Sequence, residues 1–330
     1  FATTGTVGSD EIIKNLDDIP LPARELLEMR YYSIPSFSVG FVKVGSMITS
    51  RGCPYNCSFC SARQFWGIGV RFFSAERVAQ EIEILYGRYG FKRIEIYDDT
   101  FSLNTDRLKR LINILEKRNL LGKIEFICIG TARGFTEEIA SLLKKLNVIE
   151  ITFGFESGSE RMLNYLKRGF FSVQDSKKAT EICKKYKLPY SGFFMIGSPT
   201  ETEEDIMKTY TFIKKYCPNF IVYQTVPFPN TDVWDYAVKN KIIKEDMYDN
   251  KNKEFIDIDT NYLLTKDITK EKFTELFNKI NSLKIKQRRE TVFSALRGRP
   301  FEILKEFANP YFLRKAYNLR REFIRRIFGS

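Results

Sequence analysis

Cys53, Cys57 and Cys60 lie within one short segment, Arg51-Gly-Cys-Pro-Tyr-Asn-Cys-Ser-Phe-Cys60. The spacing Cys-x₃-Cys-x₂-Cys packs three thiolates into a single loop, which suits three irons of an iron–sulfur cube. A fully ligated cube needs a fourth protein ligand, and no fourth cysteine is near. One iron would stay open to a substrate or cofactor. That open corner points to chemistry rather than simple electron carriage.

Other uses of three cysteines fit less well. A structural zinc takes four Cys or His ligands in a closed tetrahedron, and the chain contains no histidine. Cys128, Cys183 and Cys217 stand singly, with no Cys-x₂-Cys partner to complete such a site. Six cysteines in 330 residues is far below the density of a disulfide-stapled domain, and three crowded thiols leave one unpaired. Cys128 falls in an apolar run and reads as a small core residue. Its alternative is a hydrogen-atom donor or methyl carrier. Without histidine, proton transfer falls to Tyr, Glu, Asp, Lys or Cys.

The order Cys-x₃-Cys-x-aromatic-Cys, with Phe59 as the aromatic, resembles the signature of the radical S-adenosylmethionine (SAM) superfamily. The resemblance implies a 4Fe–4S cluster on Cys53, Cys57 and Cys60 whose open iron chelates the amino and carboxylate groups of SAM. One electron, from a donor such as ferredoxin or flavodoxin, then cleaves SAM and leaves a 5′-deoxyadenosyl radical. Low-potential clusters reach about −400 mV and below, a range that suits cleavage of a sulfonium. The radical is expected to take hydrogen from a carbon of a small-molecule or lipid-like substrate, with methylation of an unactivated carbon the leading outcome. Rearrangement, cyclisation, coupling and sulfur insertion begin with the same radical. Outside catalysis, the alternative is an iron–sulfur sensor of oxygen or iron.

Such chemistry needs a scaffold, and the rest of the chain supplies one. Apolar, β-rich runs at 45–50, 93–97, 124–129, 149–155, 191–196 and 220–226 alternate with helix-period segments at 75–89, 105–117, 136–145, 173–186 and 203–216. Most of the strands are apolar on both faces, as parallel strands covered on both sides are. The pattern predicts an α/β fold, an open six-stranded parallel (β/α)₆ partial barrel with a C-terminal helical extension. Ser74, Asn104 with Thr105, and Thr136 followed by Glu137 and Glu138 mark helix starts. In parallel βα folds, sites form where loops leave the carboxyl ends of strands. The cysteine loop follows the first strand.

Polar clusters end the other strands. SAM offers an ammonium, a carboxylate, a ribose diol and an adenine face, so acids, a base and apolar surface are its complements. By resemblance, Asp98, Asp99 and Thr100 match the superfamily's amino-group-binding loop, and Glu156 with Ser157 matches the polar motif of the fourth strand. Arg133 and Arg168 match basic positions near the SAM carboxylate, and Phe59 matches an adenine contact. Each has a plainer role open to it. Asp98 and Asp99 suit a capping turn, Glu156 a structural hydrogen bond, the arginines a solvated surface, and Phe59 the packing of its own loop.

A narrower likeness runs through Tyr97-Asp-Asp-Thr-Phe101, Gly154-Phe-Glu-Ser-Gly-Ser159, Phe194-Met-Ile-Gly-Ser-Pro199 and Pro227-Phe-Pro-Asn-Thr231. It resembles the cobalamin-binding branch of the superfamily, and the segment Leu16-Asp-Asp-Ile-Pro-Leu-Pro-Ala-Arg24 is similar to that branch's linker. The expected organisation is a linker at 1–43, a barrel at 44–231 and a helical C-terminal region at 232–330. Cobalamin would then come from an upstream domain outside this chain, which starts at Phe1 rather than Met. Two departures stand out. Thr200 and Asn230 occupy positions where the branch usually carries glycine, in turns whose shape a side chain can alter.

Composition agrees with a globular enzyme: 43% of residues are hydrophobic, and no apolar run approaches membrane-spanning length. Sparse cysteines and an oxygen-sensitive cluster argue for a reducing cytoplasm. The net charge of +12 gathers toward the C-terminus, where the stretch from Lys284 holds thirteen Lys and Arg against four Glu. Leu313, Tyr317, Phe323, Ile324 and Phe328 share one face of a helical projection, with Arg314, Arg321, Arg325 and Arg326 off it. Docking of that apolar face on the barrel is the favoured reading. Peripheral contact with an anionic membrane comes second. Nucleic acid ranks third, because no recognised nucleic-acid module accompanies the basic patch.

Overall fold

In the computed structural model, which describes residues 12–29, 44–245 and 262–298, the apolar runs form one parallel sheet in chain order. Its strands are β1 (Val44–Met47), β4 (Arg93–Ile96), β5 (Glu125–Gly130), β6 (Val148–Glu156), β7 (Tyr190–Ile196) and β8 (Phe220–Gln224). Every neighbouring pair is parallel, and β1 and β8 form opposite edges, so the sheet is an open half-barrel. Between the strands run α2 (Ala75–Gly87), α3 (Thr105–Lys117), α4 (Glu137–Lys145), α5 (Glu160–Lys167), α6 (Val173–Lys185) and α7 (Glu203–Tyr216). After β8 come α8 (Asp232–Lys239) and α9 (Lys270–Gly298). Among the described residues no helix is long and apolar enough to cross a membrane.

The helices begin where side chains accept their unpaired N–H groups. Ser74 accepts from Arg77, Asn104 from Arg107 and Thr136 from Ile139, at the starts expected for α2, α3 and α4. Ser172 with Asp175 and Thr202 with Asp205 add reciprocal capping boxes to α6 and α7. Inside, Phe153, Phe155, Phe194 and Phe212 pack ring against ring between the sheet and α7. Cys128 is buried in β5.

The first apolar run does not form one strand. β1 stops at Met47, and Ser50–Arg51 (β2) leave the sheet to pair antiparallel with Arg71–Phe72 (β3). Asp98 provides the physical reason. Its carboxylate accepts the N–H groups of Thr49 and Ser50 at 2.5 and 3.0 Å, so they are spent on a side chain. A five-residue helix, α1 (Ala62–Trp66), joins the two ribbon strands after the cysteine loop.

The leading segment lies along the β1 edge. Leu16 is fully buried, Asp17 accepts the Ser74 N–H, and Arg77 donates to the Ile19 carbonyl. Arg24 pairs with Glu81 of α2 at 2.6 Å and donates to the Ser46 carbonyl. The described residues up to Ile280 belong to one compact unit, and those from Asn281 belong to a second, in which α9 runs on to Gly298. The basic aromatic tail at 299–330 lies outside the described residues.

Both departures from the glycine pattern adopt the left-handed backbone that glycine favours, Thr200 at φ +60° and Asn230 at φ +61°. The loops keep the shape a glycine would give them, at a conformational cost. Asparagine tolerates this region, whereas β-branched threonine does not. Beside Thr200, the buried Glu201 carboxylate accepts the N–H groups of Gly197 and Ser198. Burial pushes Glu201 up to about 8, against the pull of those two donors. Thr200→Gly is expected to stabilise the fold by up to about 1.5 kcal/mol. Relief of left-handed strain, about 1–2 kcal/mol, exceeds the entropy cost of glycine, about 0.5–1 kcal/mol. A thermal melt checks this: the midpoint rises, and an unchanged or lower midpoint contradicts the strain assignment.

Candidate functional site

The cysteine loop carries little regular structure, so its shape comes from what grips it. Gly52 opens it at φ +93°, and a Cβ there would lie 2.3 Å from the Gly69 carbonyl oxygen, which only glycine avoids. Mid-loop, the Ser58 N–H and hydroxyl both donate to the Leu166 carbonyl at the end of α5, at 2.8 and 3.2 Å. The Ser58 carbonyl in turn accepts from Val233 at the start of α8. Two helices thus fix the loop at one residue. Cys60 closes a turn on the Cys57 carbonyl, and its sulfur accepts the Ala62 N–H at 3.5 Å.

Beside the three thiols lies a buried ion pair absent from the sequence-based candidates as a pair. Lys167 Nζ donates to Glu156 Oε1 at 2.9 Å, with both side chains nearly out of solvent. The ammonium also lies 4.9 Å from the Phe171 ring and 5.4 Å from the Phe59 ring. Glu156 ends β6 at φ +60°, just past a register shift in the β6–β7 ladder. A Cβ on Gly154 would come within 2.5 Å of Glu156 Oε1, so that glycine makes room for the pair.

The electrostatics tie these groups together. Burial pushes Cys57 up to about 11, while Lys167 opposes the shift and Glu156 adds to it. Cys53 and Cys60 are also raised, by burial first and then by the Asp99 carboxylate among other groups. Burial alone would lower the Lys167 ammonium, yet Glu156 and Cys57 hold it above its ordinary value. A fixed cation therefore faces three sulfurs that become anionic when they bind metal.

The two adjacent aspartates face opposite ways. Asp98 is 1% exposed, and besides the two N–H groups it accepts the hydroxyls of Thr49 and Ser50. Arg107, 3.8 Å away, supplies its counter-charge. Asp99 instead faces the cysteine loop, where the Gly52 N–H is its donor, and burial with Asp98 raises its carboxyl. Thr100 is buried, with a hydroxyl that has no partner among the described residues. Ser157 turns toward α7 and bonds the Thr209 hydroxyl at 3.0 Å.

The arginines are held elsewhere. Arg133 donates to the Phe170 carbonyl at 2.6 Å, and exposed Arg168 pairs with both oxygens of Asp232. Phe59 packs against Met162, Leu166 and Met195 on one side and Val233, Ala237 and Leu264 on the other. The structure thus gathers Cys53, Cys57, Cys60, Asp99 and Glu156, adds Lys167, and turns Asp98, Ser157, Arg133 and Arg168 to other partners. Periodicity could have found Lys167: it stands four residues after buried Leu163, on the inward stripe of α5.

The donor set fits a cube. Among the described residues no three Cys, Asp or Glu close around a single ion, as zinc would require. In a cube each thiolate holds a different iron, and three thiols on one loop match that need. The sequence model described as the radical SAM superfamily matches residues 47–213, half of the chain, from β1 into α7. The chain belongs to the radical SAM superfamily.

Among the relatives, an uncharacterized methyltransferase of Pyrococcus horikoshii is 36% identical over 233 residues, 70% of this chain and 49% of that protein. The cytidylyl-2-hydroxyethylphosphonate methyltransferase of Streptomyces wedmorensis is 28% identical over 61% of this chain and 39% of that one. This chain thus spans half or less of the length of these relatives. The fold also superposes on a radical S-adenosylmethionine methyltransferase, TsrM from Kitasatospora setae, whose structure holds cobalamin and a 4Fe–4S cluster. The TM-score is 0.54 at 20% identity, covering 59% of this chain and 38% of that one. At that identity the likeness shows the fold. The superfamily's cofactors are a 4Fe–4S cluster and SAM, and the thiol triplet is where this radical SAM chain would hold the cluster.

Lys167→Met leaves Glu156 buried without its counter-ion. The variant is expected to lose about 3–5 kcal/mol of stability, the cost of breaking rather than replacing a buried pair. Lys167→Met with Glu156→Gln should recover a large part of that loss. Denaturant unfolding of both variants checks it, and a Lys167→Met variant as stable as the parent contradicts the pairing.

Proposed function

We propose that this chain forms the catalytic barrel of a radical SAM methyltransferase that acts on an unactivated carbon of a small or lipid-like molecule. The gathering of Cys53, Cys57 and Cys60 around a buried cation at the carboxyl ends of parallel strands carries the reading. Methyltransferase names among the relatives support the outcome of the reaction. When both cofactors are bound, the chemistry they supply in this superfamily is one-electron cleavage of SAM to methionine and a 5′-deoxyadenosyl radical.

The chain's own residues bind, orient and screen. The three cysteines hold the cluster, and Ser58 fixes their loop against α5 and α8. Lys167 offsets the negative charge that three thiolates bring into a half-buried site. Asp99 presents an anionic oxygen toward the loop, where the ammonium of SAM would find its complement. Phe59 and the apolar groups around it keep water from the loop's inner side. Asp98, Thr100, Arg133, Glu156, Ser157 and Arg168 enter as candidate SAM-binding groups. Of these, Glu156 is the one coupled directly to the thiols.

Cobalamin is a further cofactor in this reading, and a fold neighbour's structure holds it. The 330 residues hold no histidine, and none of the residues placed at the thiol site is assigned to cobalamin. The electron would come from a donor such as ferredoxin or flavodoxin. A second reading, radical ring formation, rests on relatives such as the anaerobic magnesium-protoporphyrin IX monomethyl ester cyclase of Rubrivivax gelatinosus, 25% identical over 61% of this chain.

Anaerobic reconstitution with iron and sulfide, then dithionite and SAM, tests the proposal through 5′-deoxyadenosine. The parent chain is expected to release it and Cys57→Ala to release none. A parent protein that forms a cluster yet yields no 5′-deoxyadenosine, even joined to the upstream part of its relatives, contradicts the catalytic reading.

A further inference from the structure

A cavity of about 350 Å³ lies between the leading segment and the β1–α2 edge, apart from the thiol site. Its apolar wall comes from Ile19, Pro20, Pro22, Met47 and Phe73, and its polar wall from Arg24, Arg51, Arg77 and Glu81. The size falls in the range of small-molecule sites, and a largely apolar lining with few polar groups is their usual composition.

The charges in this wall do not cancel. Glu81, its carboxylate, is taken by Arg24 at 2.6 Å, which leaves the guanidinium groups of Arg51 and Arg77 uncompensated. Both are held in place by stacking, Arg51 at 5.2 Å from the Trp66 ring and Arg77 at 5.8 Å from the Phe73 ring. Arg77 spends one amino group on the Ile19 carbonyl. Neither guanidinium has a carboxylate partner among the described residues, although Arg51 Nε and Arg77 Nη1 themselves are buried. Buried donors are nearly always satisfied, and a charged one left alone is costly.

We propose that this cavity binds a small organic phosphate, its oxygens pairing with the guanidinium groups of Arg51 and Arg77 in the polar wall and its apolar body lying against the proline-lined wall. Two uncompensated guanidinium groups match a phosphate dianion better than a single carboxylate, and Arg forks suit its oxygen geometry. The ligand would be held between the leading segment and the barrel, so its binding also fastens the two together. Arg51 is followed directly by Gly52 and Cys53, so the same side chain stands at the entry to the cysteine loop.

Calorimetric titration of the 330-residue chain with phenyl phosphate tests the proposal, with Trp66 fluorescence as a second readout. Phenyl phosphate is expected to bind saturably, inorganic phosphate more weakly for want of the apolar body, and phenol not at all. Arg77→Gln and Arg51→Gln should each weaken phenyl phosphate by about tenfold or more, the loss of one charged hydrogen bond. Arg118→Gln, which removes an exposed guanidinium paired with Glu83, should leave binding unchanged. Thermal melts accompany each variant. If Arg77→Gln unfolds for loss of its bond to Ile19, Arg51→Gln decides the outcome, because no hydrogen bond in the described structure depends on it. Absence of saturable binding up to about 10 mM phenyl phosphate, or affinity that survives in the Arg51→Gln variant, overturns the assignment.

Discussion

One carboxylate determines how the chain enters its site. Asp98 accepts two N–H groups and two hydroxyls from Thr49 and Ser50, with Arg107 beside it, and so draws the chain out of β1 at the point where a strand would otherwise continue. The cysteine loop starts from that turn. A loop with three thiols gains nothing from regular secondary structure, because its sulfurs must converge on one body rather than alternate between faces. Its shape must therefore be imposed from outside. Asp98 grips its base, and Ser58 binds its middle to α5 and α8.

The second constraint is charge. Three thiolates in a half-buried loop would repel one another, and burial already disfavours each of them. Lys167 counters that repulsion from within, and Glu156 keeps the ammonium charged in turn. The sheet makes this arrangement fit: the left-handed backbone at Glu156 turns its carboxylate inward, and the bare Gly154 leaves space for it. The placement of Glu156 is thus a matter of packing as much as of ligand binding.

The sheet was legible from the residues because its signal is one of bulk pattern. Doubly apolar runs between capped amphipathic segments define parallel strands, and Ser74, Asn104 and Thr136 mark their helices as written. The thiol triplet was legible because only a few arrangements use that spacing. The direction of single polar side chains was not. Asp98 and Asp99 are neighbours of the same type, yet the turn of the backbone past the end of β4 sends one into the core and the other toward the cysteines. Lys167 and Arg168 are likewise adjacent and basic, and the helical repeat buries the first while the second leaves α5 in the left-handed region to meet Asp232. Motif resemblance marks a neighbourhood, and the turn of the backbone decides which residue within it faces the site. The break after Met47 escaped the pattern too, because its cause lies in Asp98, 49 residues beyond the Thr49 it binds.

The central claim is that three cysteines hold a cube and leave one iron open. Mössbauer spectroscopy of the anaerobically reconstituted protein, recorded with and without SAM, tests it most directly. The expected result is a 4Fe–4S spectrum in which SAM alters a single iron site and leaves the rest unchanged. A cluster whose irons stay equivalent and indifferent to SAM would contradict it.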